Sequence, residues 1–511
     1  MGETISALLS AQPADAPAIG GEGRPWMSYG ALRALAPEVK TALNENGVGA
    51  QDRVAIVLAN GPEMAAAFVA AATACATAPL NPAYKREEFD FYLSDLKAKA
   101  LIVAEGDDTP AVAAARAQGA AILRLKPAEG GPAGAFTLAP EGGSGGAAAE
   151  SGAPGADDVA LVLHTSGTTS RPKIVPLLQR NLAASATHIA EALALRPEDR
   201  CLNVMPLFHI HGLVAGVLSS LKAGASIFCT PGFNAMRFFP LLDEVKPSWY
   251  TAVPTMHQLI LTRAERNADI LARAKLRLIR SSSASLPPQV MAALEETFGA
   301  PVIESYGMTE ASHQMASNPL PPRPRKAGHV GVPAGPQVRL ADPGADQLLG
   351  EGASGEVVIS GPNVTPGYEA NPDANAKSFF EIEGARWFRT GDEGMFDGDG
   401  FLKITGRLKE IINRGGEKVS PLEVDETLLD HPAVAQVVTF ALPHEKLGEE
   451  VAAAVVLRDG AAADEKSLRA FAAERLADFK TPRKIVILDE IPKGATGKMQ
   501  RIGMADKLGL V

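Results

Sequence analysis

Strand-length apolar runs alternate with alanine-rich stretches of helical length through roughly the first 400 residues, and no other feature limits the possible folds as much. Arg53 to Leu58, Ala100 to Ala104 and Ala225 to Cys229 are examples of the strand-like runs. Strands separated by helices pair side by side, so the alternation predicts α/β layers with largely parallel sheets. Met64 to Leu80 is long and apolar, but it is alanine-rich, interrupted by Thr73 and Thr77, and carries Pro79 near its end. It predicts a buried helix of an α/β domain rather than a membrane span.

The texture changes after Gly406-Arg407-Leu408-Lys409. A tail of about 100 residues follows, large enough to fold semi-independently and to move. Val451 to Leu457 and Lys484 to Leu488 read as strands in it. Between them Leu468, Phe471, Leu476 and Phe479 recur near helical spacing, which predicts a helix over Ser467 to Phe479. The expected architecture is a large N-terminal domain of layered sheets and helices, residues 1–408, and a small mobile α+β C-terminal domain, residues 409–511. Pro127 to Ala156 is dominated by Gly, Ala, Pro, Ser and Glu and reads as a flexible surface connection.

The formal net charge of −10 argues against a general nucleic-acid binder and leaves room for a local basic pocket. The three cysteines, Cys75, Cys201 and Cys229, are far apart and form no CxxC pair. Neither a zinc site nor a disulfide framework is expected, and a reducing cytosol is the default compartment. The first arginine is Arg24, so a secretory leader is not expected.

His164-Thr165-Ser166-Gly167-Thr168-Thr169-Ser170-Arg171-Pro172-Lys173 is the segment richest in chemistry. Ser166, Thr168 and Thr169 surround Gly167, with Arg171 and Lys173 just beyond. Such a loop can turn backbone N–H groups, hydroxyls and positive charge toward one polyphosphate. The apolar run Val159 to Leu163 before it reads as a buried strand. It is not a Walker A loop, because no Gly-Lys-Ser/Thr closes it and Pro172 opposes an immediate helix. Taken alone, its composition is also that of an ordinary surface linker.

Other segments complete a pattern. They are Pro206-Leu207-Phe208-His209-Ile210-His211-Gly212, Tyr306-Gly307-Met308-Thr309-Glu310 and Arg389-Thr390-Gly391-Asp392. In the tail lie Gly406-Arg407-Leu408-Lys409-Glu410, Gly415-Gly416-Glu417-Lys418 and Pro492-Lys493-Gly494-Ala495-Thr496-Gly497-Lys498. Together, in this order, they resemble the acyl-activating, adenylate-forming superfamily of acyl-CoA synthetases, luciferases and nonribosomal adenylation domains.

The resemblance implies ATP, Mg²⁺ and coenzyme A as partners, together with a small carboxylic acid, and no nucleic acid or membrane. Thr165, Ser166, Gly167, Thr168, Thr169 and Lys173 would cradle the phosphates. Glu304, Ser305, Tyr306, Gly307 and Thr309 would close on the nucleotide, and Glu310 with Thr165 would hold Mg²⁺. Ser283 and Ala284 belong to the serine run Ser281 to Ser285, expected to line the adenine and acyl pocket. Asp392 matches the family's ribose ligand, and Arg407 a second ribose or phosphate contact; an interdomain ion pair is the alternative for both. Lys498 would bridge the carboxylate and the α-phosphate as negative charge develops. Lys409 matches the hinge about which the tail would rotate to admit a thiol. Gly415 and Gly416 would wall a narrow pantetheine channel, unless they are a plain turn.

Within the superfamily, His164 to Lys498 is similar to the plant and fungal oxalate–CoA ligases, with which it shares HTSGTTSRPK, PLFHIHGL, MTEASHQMASN and INRGGEKVSP. Oxalate carries two charges on two carbons, so its pocket must be short and supply donors to the non-reacting carboxylate. His209, His211, Ser283 and His313 are the candidates, with His209 also at a position the family uses as an aromatic gate. Malonate-activating members carry an arginine shortly after a Val-Pro-Thr run. Here Val253-Pro254-Thr255 leads into Met256-His257-Gln258-Leu259, without it. Ligation of another small acid and service to a carrier protein are the rival readings.

Overall fold

Two sheets with parallel centres form most of the larger of two units in the computed structural model, which describes residues 3–142, 149, 152–165, 172–492 and 499–511. That unit comprises Met1–Val338 and Ile359–Phe388, and the smaller comprises Arg339–Val358 and Arg389–Val511. The fold is that expected of adenylate-forming enzymes, with layered sheets and helices followed by a small α+β part.

The seven-stranded sheet runs in the order Phe136–Pro140, Ala121–Pro127, Ala100–Ala104, Arg53–Val57, Ala76–Pro79, Val159–Thr165 and Lys173–Leu178. Its inner pairings are parallel and its two outermost are antiparallel. Leu101, Ile102 and Val103 are wholly buried, as a strand covered by helices on both faces must be. The nine-stranded sheet is parallel from Pro17–Gly20 across Ser226–Cys229, Arg200–Asn203, Trp249–Ala252 and Leu278–Ser281 to the start of Val302–Met308. Ligands of open parallel sheets bind beyond the carboxyl ends of the strands, and Thr165 and Ser281 stand at two such ends.

Two segments differ from expectation. Met64 to Leu80 is not one helix: the helix Pro62–Ala72 stops where the Thr73 hydroxyl bonds the Ala70 carbonyl at 2.7 Å, and the strand Ala76–Pro79 follows. Residues 64–72 and Ala76–Pro79 are alike buried, so hydrophobicity alone could not mark the change. The stretch Pro127 to Ala156 contains the strand Phe136–Pro140, paired antiparallel with Ala121–Pro127. Phe136 turns inward there, a packing signal outweighed in the composition by Gly and Pro. Among the described residues no helix is long and apolar enough to cross a membrane.

In the smaller unit Glu417–Val419, Ile412–Arg414, Gly448–Leu457 and Val434–His444 form a sheet, with Lys484–Ile487 parallel to Gly448–Leu457. Helices Pro421–Leu429 and Glu465–Ala473 close its core over Ile412, Val424, Val451 and Leu468. The second helix begins early, capped by Asp464 on the Ser467 N–H at 2.7 Å, and ends at Ala473 rather than Phe479. Leu476 and Phe479 still pack on the core, from a following 3₁₀ turn at Asp478–Lys480. Their spacing reported burial, not helix continuity.

All three cysteines are free and buried, and burial raises each thiol pKa.

Candidate active site

Val159–Thr165 and Lys173–Leu178 form an antiparallel hairpin in which Thr165 faces Lys173. Pro172 therefore precedes a strand, as its resistance to helix predicts. Ser166, Gly167, Thr168 and Thr169 lie outside the described residues. The Lys173 ammonium sits 4.2 Å above the centre of the Tyr368 ring. The Tyr368 hydroxyl in turn donates to Glu310 Oε1 at 2.8 Å. Tyr368 belongs to a segment that carries no motif, yet this segment ties the hairpin to the Glu310 turn. Thr365 donates its hydroxyl to the Pro176 carbonyl at 2.7 Å and its N–H to the Glu310 carbonyl at 2.8 Å. The only sequence signal was turn chemistry, Gly361-Pro362 and Pro366-Gly367 on either side.

Thr165 and Glu310 offer a hydroxyl and a carboxylate, the hard oxygen donors Mg²⁺ takes. Among the described residues no cluster of three His, Cys, Asp or Glu could cage a metal. A cation that arrives on phosphate oxygens and needs only one or two protein ligands fits that donor set.

The Tyr306 to Glu310 motif is where the nine-stranded sheet changes direction. Val302–Met308 leaves its parallel neighbour after Glu304 and turns back antiparallel with His313–Ser317, setting Met308 opposite His313 and Gly307 opposite Gln314. The reversal is a 3₁₀ turn over Thr309–Ala311, followed by Ser312 at φ 49° and His313 at φ 106°. Ser283 also has positive φ, 74°. Such non-glycine residues cost about 1–3 kcal/mol each and gather at functional sites.

His211 opens a π-helix, His211–Leu218, a form of helix enriched at functional sites. Its Nδ1 lies 3.0 Å from Ser283 Oγ and its Nε2 2.6 Å from Thr251 Oγ1. The His211 and His313 rings are edge to face, 5.0 Å apart. Three expected acid-pocket residues, His211, Ser283 and His313, are thus neighbours. His209 is half-buried, its ring 4.6 Å from that of Phe208 and its carbonyl accepting the Leu213 N–H at 3.1 Å.

Behind the two histidines stands Arg280, from the strand Leu278–Ser281, with no surface exposed. One terminal nitrogen is 3.3 Å from His211 Nε2. The other is 3.5 Å from His313 Nδ1 and 3.4 Å from Gln314 Oε1. Among the described residues no carboxylate lies within ion-pair reach of it. Burial lowers its pKa to about 9, which leaves it cationic at neutral pH. A buried charge without a counter-ion costs several kcal/mol. No motif marks this residue. The position after Val253-Pro254-Thr255, where an arginine was missing, instead carries His257, fully buried and held neutral, its pKa lowered by burial to about 3.

The serine run is braced from below. Glu304 accepts the Leu286 N–H at 2.8 Å, and the Ser282 hydroxyl donates to the Ser305 carbonyl at 2.8 Å. Glu304 and Ser305 therefore hold the loop, while Ala284 is exposed.

In the smaller unit Asp392 and Arg407 are cross-strand partners joined at 2.9 Å. Their ion pair lies inside one hairpin and is not interdomain. Arg389 pairs with Glu356 at 2.7 Å, and Gly391, at φ 75°, donates its N–H to the same carboxylate at 3.0 Å. Lys409 is exposed in the turn after Arg407. Gly415 and Gly416 form a two-residue hairpin turn at φ 62° and 96°, which by itself accounts for both glycines. Lys498 lies outside the described residues.

Comparison with known proteins agrees with this geometry. The model of the AMP-binding enzyme family matches residues 7–369, and that of the AMP-binding enzyme C-terminal domain matches residues 423–498. An oxalate–CoA ligase of Arabidopsis thaliana is 44% identical over 98% of this chain and 97% of its own length. An oxalate–CoA ligase of Saccharomyces cerevisiae is 42% identical over 89% of this chain and 87% of its own. The crystal structure of ATP-bound MatB from Rhodopseudomonas palustris superposes with a TM-score of 0.86 at 29% identity, covering 99% of both chains. The chain belongs to the AMP-binding enzyme family.

Proposed function

We propose that the protein is an ATP-dependent oxalate–CoA ligase. Oxalate attacks the α-phosphorus of ATP to give oxalyl-adenylate and pyrophosphate; the thiol of coenzyme A then displaces AMP to give oxalyl-CoA. The observation that carries the substrate is the wall made by His211, Ser283 and His313, short and polar where a longer acid would need an apolar tunnel. The full-length likeness to oxalate–CoA ligases supports it.

In this reading Thr165 to Thr169 and Lys173 hold the triphosphate, and Glu310 with Thr165 holds Mg²⁺, which when bound screens the phosphate charge. Tyr306, Gly307 and Thr309 face the nucleotide, Asp392 and Arg407 the ribose, and Lys498 the reacting carboxylate. The part following Lys409 pivots to exchange Lys498 for the thiol, with Gly415 and Gly416 beside its path. A cytoplasmic setting belongs to the same proposal and agrees with cysteines that are all free.

The test is a panel of oxalate, malonate, glyoxylate, acetate and benzoate with ATP, Mg²⁺ and CoA, reading AMP. Oxalate should give the highest kcat/KM; a clear preference for any other member removes the assignment.

Tyr368→Phe keeps the ring under Lys173 but removes the donor that orients Glu310. Loss of a hydrogen bond to a charged group is worth roughly 1.5–3 kcal/mol, so kcat/KM for Mg·ATP should fall about 10- to 100-fold. The KM for oxalate should move far less. Unaltered ATP dependence would remove Tyr368 from the nucleotide site.

A further inference from the structure

We propose that Arg280 determines specificity in the acid pocket as a positioning residue: it provides the buried positive charge that selects a doubly charged small acid, and acts through His211 and His313, whose tautomers it fixes. The inference rests on the oxalate reading above and names the group that enforces it.

Arginine donates and cannot accept. With its N–H groups turned to His211 Nε2 at 3.3 Å, that nitrogen must present its lone pair. The hydrogen of His211 then sits on Nδ1 and points to Ser283 Oγ at 3.0 Å. The Thr251 hydroxyl, 2.6 Å from Nε2, donates to the same lone pair. By the same logic His313 turns a bare Nδ1 to Arg280 at 3.5 Å and carries its hydrogen on Nε2. Protonating either ring would press an N–H and a second charge against the guanidinium. Both imidazoles are therefore neutral donors on their far sides, and Arg280 carries the charge.

Arg277, three residues earlier, shows what a structural arginine does in this fold. It grips Asp199 with two bonds, at 3.0 and 2.8 Å. Arg280 is more deeply buried but among the described residues meets only neutral acceptors, at 3.3 to 3.5 Å, long for hydrogen bonds, and its Nε has no partner there. The counter-charge it lacks is what the second carboxylate of oxalate brings. An acid of equal length with a neutral end leaves that charge uncompensated and is rejected.

The experiment compares oxalate with oxamate, in which an amide replaces one carboxylate, using the full-length protein and its Arg280→Met and Arg280→Lys variants. The native protein should prefer oxalate by about 100-fold in kcat/KM. Arg280→Met should bring that ratio near one through a higher KM for oxalate, with the KM for ATP within about twofold, and Arg280→Lys should restore part of the preference. Equal losses on both acids, or a native protein that uses oxamate as well as oxalate, overturn the role of Arg280 and leave the ligase reading intact. A native protein that activates neither acid ends the oxalate reading. Nitrogen-15 spectra of the histidine rings in the native protein test the tautomers independently of any variant's folding and of the substrate. Neutral His211 with its hydrogen on Nδ1 is expected; an imidazolium, or a hydrogen on Nε2, overturns the inference.

Discussion

Lys498→Ala is expected to slow oxalate-dependent pyrophosphate release about 100- to 1,000-fold, the usual result of deleting one group that stabilises transition-state charge. As the carboxylate attacks, negative charge collects on oxygens of both reactants. A flexible stem with a compact ammonium can reach both at once, which a fixed guanidinium fork does less well. The second half-reaction has no such need, because the adenylate already carries its activated carbonyl. Thioester formation from supplied oxalyl-adenylate and CoA should therefore proceed near the native rate. Equal loss in both stages would show that Lys498 acts on binding or folding instead. The same two-stage assay bears on Lys409: a pivot there requires that the stages can be impaired separately.

Gly307→Ala should be nearly as damaging, by a different route. A Cβ at this position would fall inside the contact shell of the His313 carbonyl oxygen, 2.7 Å from the carbonyl carbon and 2.8 Å from the ring Nδ1. The carbonyl is backbone in a hairpin and cannot rotate away. His313 already holds an unfavourable φ of 106° and has little conformational slack. Overpacking of this kind costs about 1–3 kcal/mol, and the geometry of a pocket suffers before its stability does. The variant should fold with a lowered Tm and lose at least about tenfold in kcat/KM for oxalate. Native activity would mean that the close approach of Gly307 to His313 is not required.

How far the chain could be read in advance depended on the kind of signal. Alternation of strands and helices named the fold class, because covered parallel strands such as Ala100–Ala104 are apolar without interruption. It could not separate the helix Pro62–Ala72 from the strand Ala76–Pro79, since the helix from Met64 on and the whole strand are buried. His211, Ser283 and His313 were recognisable as candidates through their motifs. Their meeting was not, because a crossing between Met308 and His313 depends on a four-residue reversal with two left-handed residues. Arg280 and Tyr368 escaped for a simpler reason. Each acts by location alone, one at the inward face of a strand and the other in a turn-rich connection, and no spacing encodes either. Gly415 and Gly416 show the limit from the other side: a hairpin turn needs both glycines, so the pair alone does not separate a turn from a channel wall.

A mixed anhydride is an electrophile that sulfur attacks readily, and a protein that manufactures one risks acylating itself. Cys75, Cys201 and Cys229 are all sequestered from water with their thiols held in the unreactive, protonated form. No cysteine of this chain can then compete for the activated acid, so sulfur chemistry is reserved for the thiol that arrives from outside.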